Sequence, residues 1–156
     1  MVVEKEFPWG SLHSTGGWNA QLARIHRWRA RLQNATEPAD ILDFLFALFQ
    51  NFYHLRDWLP SNEFPADQVR DFLNTHQELR ICRDLCNMTK HFELSHPPAQ
   101  GYEPSILREY APGRLANFEK DSRLVIVSGG KKHDAQRVAF RCVELWTEFL
   151  SVSNAP

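Results

Sequence analysis

Apolar residues recur along much of this chain at helical rather than strand spacing. Trp18, Leu22, Ile25, Trp28 or Arg29, and Leu32 mark a helix from about Trp18 to Gln33. A second stripe, Ile41, Leu45, Leu48, Phe52, Leu55 and Leu59, opens at Glu37–Pro38, where proline suits a first helical turn. It closes at Leu59–Pro60. Leu42, Phe49 and Tyr53 widen it on one side, and Phe44 and Trp58 on the other. Asp43, Gln50, His54 and Asp57 line what remains, so this helix is predicted to be central. A short helix follows over about Ala66–Leu73. Thr75 to Glu78 reads as a capping box that opens a helix to about His91. That helix turns Ile81, Cys82, Leu85, Met88, Thr89 and Phe92 to the core. A break at Thr75 and one bent helix both fit the pattern.

Between Glu93 and Ser128 the helical period is lost. Leu124–Val127 is strand-prone, and Ser105–Tyr110 is its expected partner in a small hairpin. Gly129-Gly130 makes a turn, and Asp134 is the expected N-cap of a last helix, Ala135–Leu150. Its buried face is Ala135, Val138, Cys142, Leu145 and Phe149, flanked by Ala139 and Trp146. The pattern predicts a mainly α fold: a four-helix-type bundle with a small β-hairpin insertion between the third and fourth main helices. One domain spans 1–156, with an irregular arm over 1–15, the insertion over about 93–130 and the C-terminal helix over about 134–150.

Composition adds limits. With 156 residues, 43% apolar and 12% aromatic, the chain can build a core without a metal or a disulfide. Eighteen Lys and Arg against 19 Asp and Glu give a net charge of -1, which excludes a globally basic nucleic-acid binder. The first nine residues show no secretory apolar region. The greasiest stretch, Ile41–Leu59, is interrupted by Asp43, Arg56 and Asp57 and reads as a buried helix, so no membrane partner is expected. Three cysteines, with Cys82 and Cys86 one turn apart, read as reduced core thiols in a cytoplasmic protein.

The candidate chemistry lies on polar groups in unusual places. On a helix, Arg80, Asp84, Asn87 and His91 fall in one stripe, with Arg83 and Lys90 beside it. An acid, an amide, a cation and an imidazole in a row can hold an anion or move a proton; the alternative is a solvated face. Arg56 projects at the shoulder of the second helix. It calls for a carboxylate, with Asp84 the named partner, or its head reaches solvent over a packed stem. His54 and Asp57 share the far face of that helix. The first helix carries Arg24, Arg27 and Arg31 with His26, Trp28 and Arg29, and no acidic residue stands between Gly10 and Thr36. That strip is either a nucleic-acid patch or a solvated face.

No metal and no cofactor is expected. His54, Asp57, Asp84 and His91 lack the Glu-x-x-His pattern of di-iron bundles, and Cys82 and Cys86 do not form a zinc knuckle. Cys86 and His91 stand too far round a helix to meet as a nucleophile pair. Gly129-Gly130-Lys131-Lys132 lacks the phosphate-loop pattern.

His54–Leu59 (His-Leu-Arg-Asp-Trp-Leu), Cys82–Asn87 (Cys-Arg-Asp-Leu-Cys-Asn), Lys90-His91 and Val143–Trp146 (Val-Glu-Leu-Trp) resemble segments of small uncharacterised helical proteins of bacteria and phages. That resemblance implies a helical bundle and carries no activity. Arg83, Asp84 and His91 also resemble, over a longer interval, the Arg–polar–His motif of the HEPN superfamily. Those proteins are compact helical bundles, often dimeric, many of which cut RNA without metal. The resemblance implies that His91 would move a proton from the ribose hydroxyl while Arg83 or Arg80 stabilises charge on the phosphate. The expected function is that of a non-catalytic helical protein acting by protein–protein association, with its own copy or another protein. Trp9, Trp18, Trp28, Trp58 and Trp146 are the candidates for an exposed interface. The alternatives are a HEPN-like metal-independent endoribonuclease and an RNA- or DNA-binding module that uses the basic first helix.

Overall fold

The computed structural model describes residues 16–90, 104–110 and 122–152. Its helices are α1 (Gly17–Asn34), α2 (Pro38–Leu55), α3 (Ala66–Thr75), α4 (Gln77–Lys90) and α5 (Ala135–Val152), with a 3-10 turn over Arg56–Trp58. Its strands are β1 (Ser105–Tyr110), β2 (Ser122–Ser128) and β3 (Lys131–Asp134). The arm 1–15, with Trp9, and His91 and Phe92 lie outside the described residues.

Gly16, the N-cap of α1, has a φ of 114° that is open to glycine. Its carbonyl accepts the Ala20 N–H at 3.1 Å, and a Cβ there would stand 2.9 Å from that of Ala20. α2 takes Pro38 in its first turn, as expected, but its α-helical part stops at Leu55, short of Leu59. The last turn tightens to 3-10 and Leu59 becomes extended, with φ −81° and ψ 123°. Pro60 explains this, since its ring disfavours helical backbone in the residue before it.

Of the two readings at Thr75, the break is the one found, one residue later and without the capping box. Thr75 is the last residue of α3, and its hydroxyl donates to the Asp71 carbonyl at 2.7 Å. Thr75 thus belongs to α3, and His76 stands between it and the first residue of α4. His76 is extended, and its carbonyl accepts the first α4 bond, from Arg80 N–H at 3.2 Å.

β1 and β2 pair antiparallel from Ser105 opposite Val127 to Tyr110 opposite Ser122, the expected partnership. Beyond the Gly129-Gly130 turn, where both φ are positive (56° and 72°), the chain adds a third strand rather than entering the helix at once. The sheet is three-stranded, in the order β1-β2-β3. Asp134 Oδ1 accepts the Arg137 N–H at 2.8 Å, so Asp134 caps α5 as expected.

α2 is central. It packs against α1, α4 and α5, while α5 also touches α1, α4, β2 and β3. Leu45, Leu48, Phe49, Phe52 and Leu55 of α2 are buried against Ala135, Val138, Cys142, Leu145 and Trp146 of α5 and Ile81, Cys82 and Leu85 of α4, in one cluster that also takes in Ile126. The result is a mainly α-helical bundle with a small antiparallel sheet between α4 and α5. On α4 the inner face also takes Leu79 and Cys86, whereas Met88 is half-buried and Thr89 exposed. The tryptophans correct an expectation: Trp18 and Trp146 are buried, at 8% and 0% exposure, and Trp28 and Trp58 are half-buried. The aromatic area is spent on the core, and the large exposed hydrophobics among the described residues are Leu107 and Val152. No helix among those residues is long and apolar enough to cross a membrane.

Candidate functional site

The arginines of three Arg-Asp dipeptides, each on a different element, converge on one cleft. Arg56-Asp57 sits in the 3-10 turn, Arg70-Asp71 on α3 and Arg83-Asp84 on α4. The cleft, of about 490 Å³, is lined by the three arginines, Asp57, Ser61 and Asn74 above an apolar floor of Leu59, Phe64, Val69 and Leu73. α3 supplies Val69, Arg70, Leu73 and Asn74 from one face, because they recur at helical spacing. Phe72, on the adjoining face, stacks on Phe149 of α5 at 4.2 Å and meets Trp146 edge-on at 4.9 Å. Phe64 is fixed by Trp18 at 5.6 Å and by the turn in which its N–H donates to the Pro60 carbonyl.

In all three dipeptides the aspartate lies at the Nε edge of its arginine: 3.3 Å for Arg56–Asp57, 3.8 Å for Arg70–Asp71 and 3.3 Å for Arg83–Asp84. That leaves the Nη edge to point elsewhere. Arg83 spends Nη1 on Asn74 Oδ1, at 3.2 Å, and so ties α4 to α3. Arg56 lies over the Tyr53 ring at 4.0 Å. Its Nε is shielded from solvent and, although near Asp57, is not aligned for a hydrogen bond. Asp84 is 3% exposed; burying a carboxylate is costly, and the Arg83 guanidinium beside it offsets that cost. The site thus offers planar donors beside apolar surface.

The residues singled out from sequence divide as follows. Arg56, Asp57 and Arg83 line the cleft, and Asp84 stands behind Arg83. The expected Arg56–Asp84 pair does not form: Asp57, the next residue on the 3-10 turn, takes the Nε edge of Arg56, and Arg83 takes Asp84. α4 is continuous through Arg80, Asp84 and Asn87, so these do share a helix, but Asp84 is turned into the protein. Arg80 is half-buried with an unpartnered Nε and does not line the cleft. Asn87 is half-buried, and His91 lies outside the described residues.

His54 is exposed, and its Nε2 is 3.9 Å from Cys86 Sγ; with the Gln50–Thr89 bond of 3.3 Å, this makes the far face of α2 a seam against α4. Arg24, Arg27 and Arg31 are exposed on α1 and face no carboxylate among the described residues. Arg24 donates to Gln21, and Arg31 lies over the Trp28 ring at 4.6 Å. Sequence reasoning missed Arg70, Asn74 and the apolar floor. The available signal was the thrice-repeated Arg-Asp dipeptide.

A second groove, of about 830 Å³, runs between β3, α5 and Glu78. It is lined by Lys132, Arg137 and Arg141 together with Glu78, Asp134 and Glu144. Arg141 is held by Glu144 at 3.0 Å, which raises its pKa, and by Glu148 at 3.4 Å.

The three cysteines are buried thiols away from the cleft. Burial, and then the neighbouring Cys142, push the Cys82 thiol well above its ordinary range, and its Sγ donates to the Phe49 carbonyl at 3.2 Å. Among the described residues no group of three or more His, Cys, Asp or Glu is placed to hold a metal. No known family, no curated protein and no solved structure matches the chain.

Proposed function

We propose that this protein is a non-catalytic binding module, a four-helix-type bundle that associates with another protein through the Arg56–Arg70–Arg83 cleft. The partner supplies an acidic group flanked by apolar surface. The observation that carries this reading is the repeated geometry of the dipeptides: each aspartate lies at its arginine's Nε edge, which leaves the Nη groups of Arg56 and Arg70 uncommitted beside an apolar floor. Arg83 has Nε and Nη1 engaged by Asp84 and Asn74, so its part in the cleft is to tie α4 to α3.

The test is selection from a displayed random-peptide library with the full chain. Peptides that combine acidic and apolar residues should be enriched. The double variant Arg56→Met/Arg70→Met should weaken them at least about tenfold, since a hydrogen bond to a charged group contributes roughly 1.5–3 kcal/mol. Absence of selected peptides, or peptides indifferent to the double variant, refutes the reading.

One observation favours a second reading, an RNA- or DNA-binding module. The α1 strip of Arg24, Arg27 and Arg31 is exposed and faces no carboxylate among the described residues, with Trp28 beside it. RNA affinity that falls with salt and is lost on replacing the three arginines by glutamine would support it; salt-independent binding would count against it.

A further inference from the structure

We infer that the group received by the cleft is the free carboxyl terminus of a polypeptide that ends in an apolar residue. This rests on the binding reading above and narrows it. Three features of the site lead there.

The first is charge. Each guanidinium already has one carboxylate at its Nε edge, within 3.3, 3.8 and 3.3 Å. The cleft is therefore rich in donors without holding a large excess of positive charge. A phosphoryl group brings about −1.5 to −2 charges at neutral pH, more than such a site answers. A carboxylate brings one charge, and its two in-plane oxygens match the planar edge of a guanidinium.

The second is placement. Arg56 and Arg70, whose Nη groups take no hydrogen bond among the described residues, line the same concavity as Leu59, Phe64, Val69 and Leu73. In an extended chain, successive side chains point to opposite sides. An internal Asp or Glu and the apolar residue next to it therefore cannot both enter one concavity from a straight strand, and the nearest internal pair that shares a side, two residues apart, is spread over about 6.6 Å of chain. A last residue carries its carboxylate and its apolar side chain on one Cα, so both enter together. The third is size. About 490 Å³ lies in the range that holds a small-molecule-sized ligand, and so admits the end of a chain rather than a whole helix.

The experiment is fluorescence anisotropy with the full chain and four N-terminally labelled peptides. These are Gly-Ser-Gly-Leu-Phe as the free acid, the same peptide as its carboxamide, Gly-Glu-Ser-Phe-Gly carboxamide with the acid moved inside and on the same side as the phenylalanine, and that last peptide with phosphoserine in place of glutamate. The free acid should bind at least about tenfold more tightly than any other, the scale of one charged hydrogen-bonded contact. Arg56→Met should remove that advantage. Arg70→Met, at a side chain 67% exposed and therefore harmless to folding, should weaken the free acid without touching the carboxamide. Circular dichroism confirms that each variant is folded.

If the internal-acid or phosphoserine peptide binds as well as the free acid, and depends equally on Arg56 and Arg70, the terminus inference is overturned while the cleft reading stands. If no peptide binds, or binding ignores both arginines, both fall.

Discussion

Phe72→Ala should release α3 from the bundle. α3 has ten residues, one buried side chain, Val69, and no side-chain hydrogen bond at its N-cap. An isolated helix shorter than about 12–15 residues is marginal in water, so α3 exists because it is packed. Much of that packing is Phe72, stacked on Phe149 at 4.2 Å with 15° between the planes and set edge-on to Trp146 at 4.9 Å. Burying a phenylalanine contributes about 1.5–3 kcal/mol, and the half-buried ring takes the lower part of that range. Its aromatic partners add about 0.5–1.5 kcal/mol. The alanine variant should therefore lose about 3 kcal/mol, or about 6–12 °C in Tm for a chain of this size. Phe72→Leu keeps most of the area and should lose only the aromatic part, about 1 kcal/mol.

Urea melts read the total, and native-state hydrogen exchange reads where it falls. Amides of α3 should become nearly unprotected in Phe72→Ala while those of Leu45 to Phe52 in α2 stay strongly protected. Peptide binding should go with them, because Arg70 and Asn74 leave the cleft together. Two results refute the reasoning: a loss below about 1 kcal/mol, or α3 amides still as protected as those of α2.

Other expectations are shorter to state. Asp134→Ala should destabilise by about 1–2 kcal/mol in a urea melt, whereas Asp134→Ser, which keeps the hydrogen bond to Arg137 and loses only the charge at the helix end, should cost less than about 1 kcal/mol. Equal losses would mean that the charge rather than the cap matters. Lys132 first, and then Arg123, hold the Glu109 carboxyl below its ordinary value of 4.5, so its contribution is present above that value and is lost as pH falls through the lowered one. The stability gap between wild type and Glu109→Gln should close on acidification below 4.5 and shrink with added salt; a gap that widens in acid contradicts the sign. Cys82, Cys86 and Cys142 should resist an aromatic disulfide reagent in the native protein and all react in urea, counted by released thiolate absorbance. Prompt native labelling would show that the core opens far more readily than its packing implies.

The helices were legible because their burial follows a 3.6-residue period, and α2 announced its central place by being apolar on most sides. The cap at Asp134 and the β1–β2 partnership were equally readable, since each is a local rule written in a few residues. β3 was not: Lys131-Lys132-His133-Asp134 has no apolar alternation, and only the glycine turn hands it to β2. The early end of α2 was readable from Pro60, whose reach back to Leu59 outweighs the hydrophobic stripe. The cleft escaped because its parts come from three elements brought together by tertiary packing. Neighbouring residues on a helix do not face one another, so an adjacent Arg and Asp suggest no pair until the long arginine is seen to lay its Nε edge alongside. The tryptophans were misjudged for a related reason: sequence gives their size, while the neighbours that cover Trp18 and Trp146 are set by the fold.

β3 ends at Asp134 and α5 begins at Ala135, with no loop between them. The sheet therefore fixes the rotational phase of the helix. One residue inserted at that junction would turn all of α5 by about 100° about its axis and swing Trp146 and Cys142 out of the interior. Four inserted residues would bring the helix back to within about 40° of its original setting. An insertion in the glycine turn two steps earlier would leave the phase alone. Length variation in this part of the chain is thus confined to whole helical turns on one side of β3 and is free on the other.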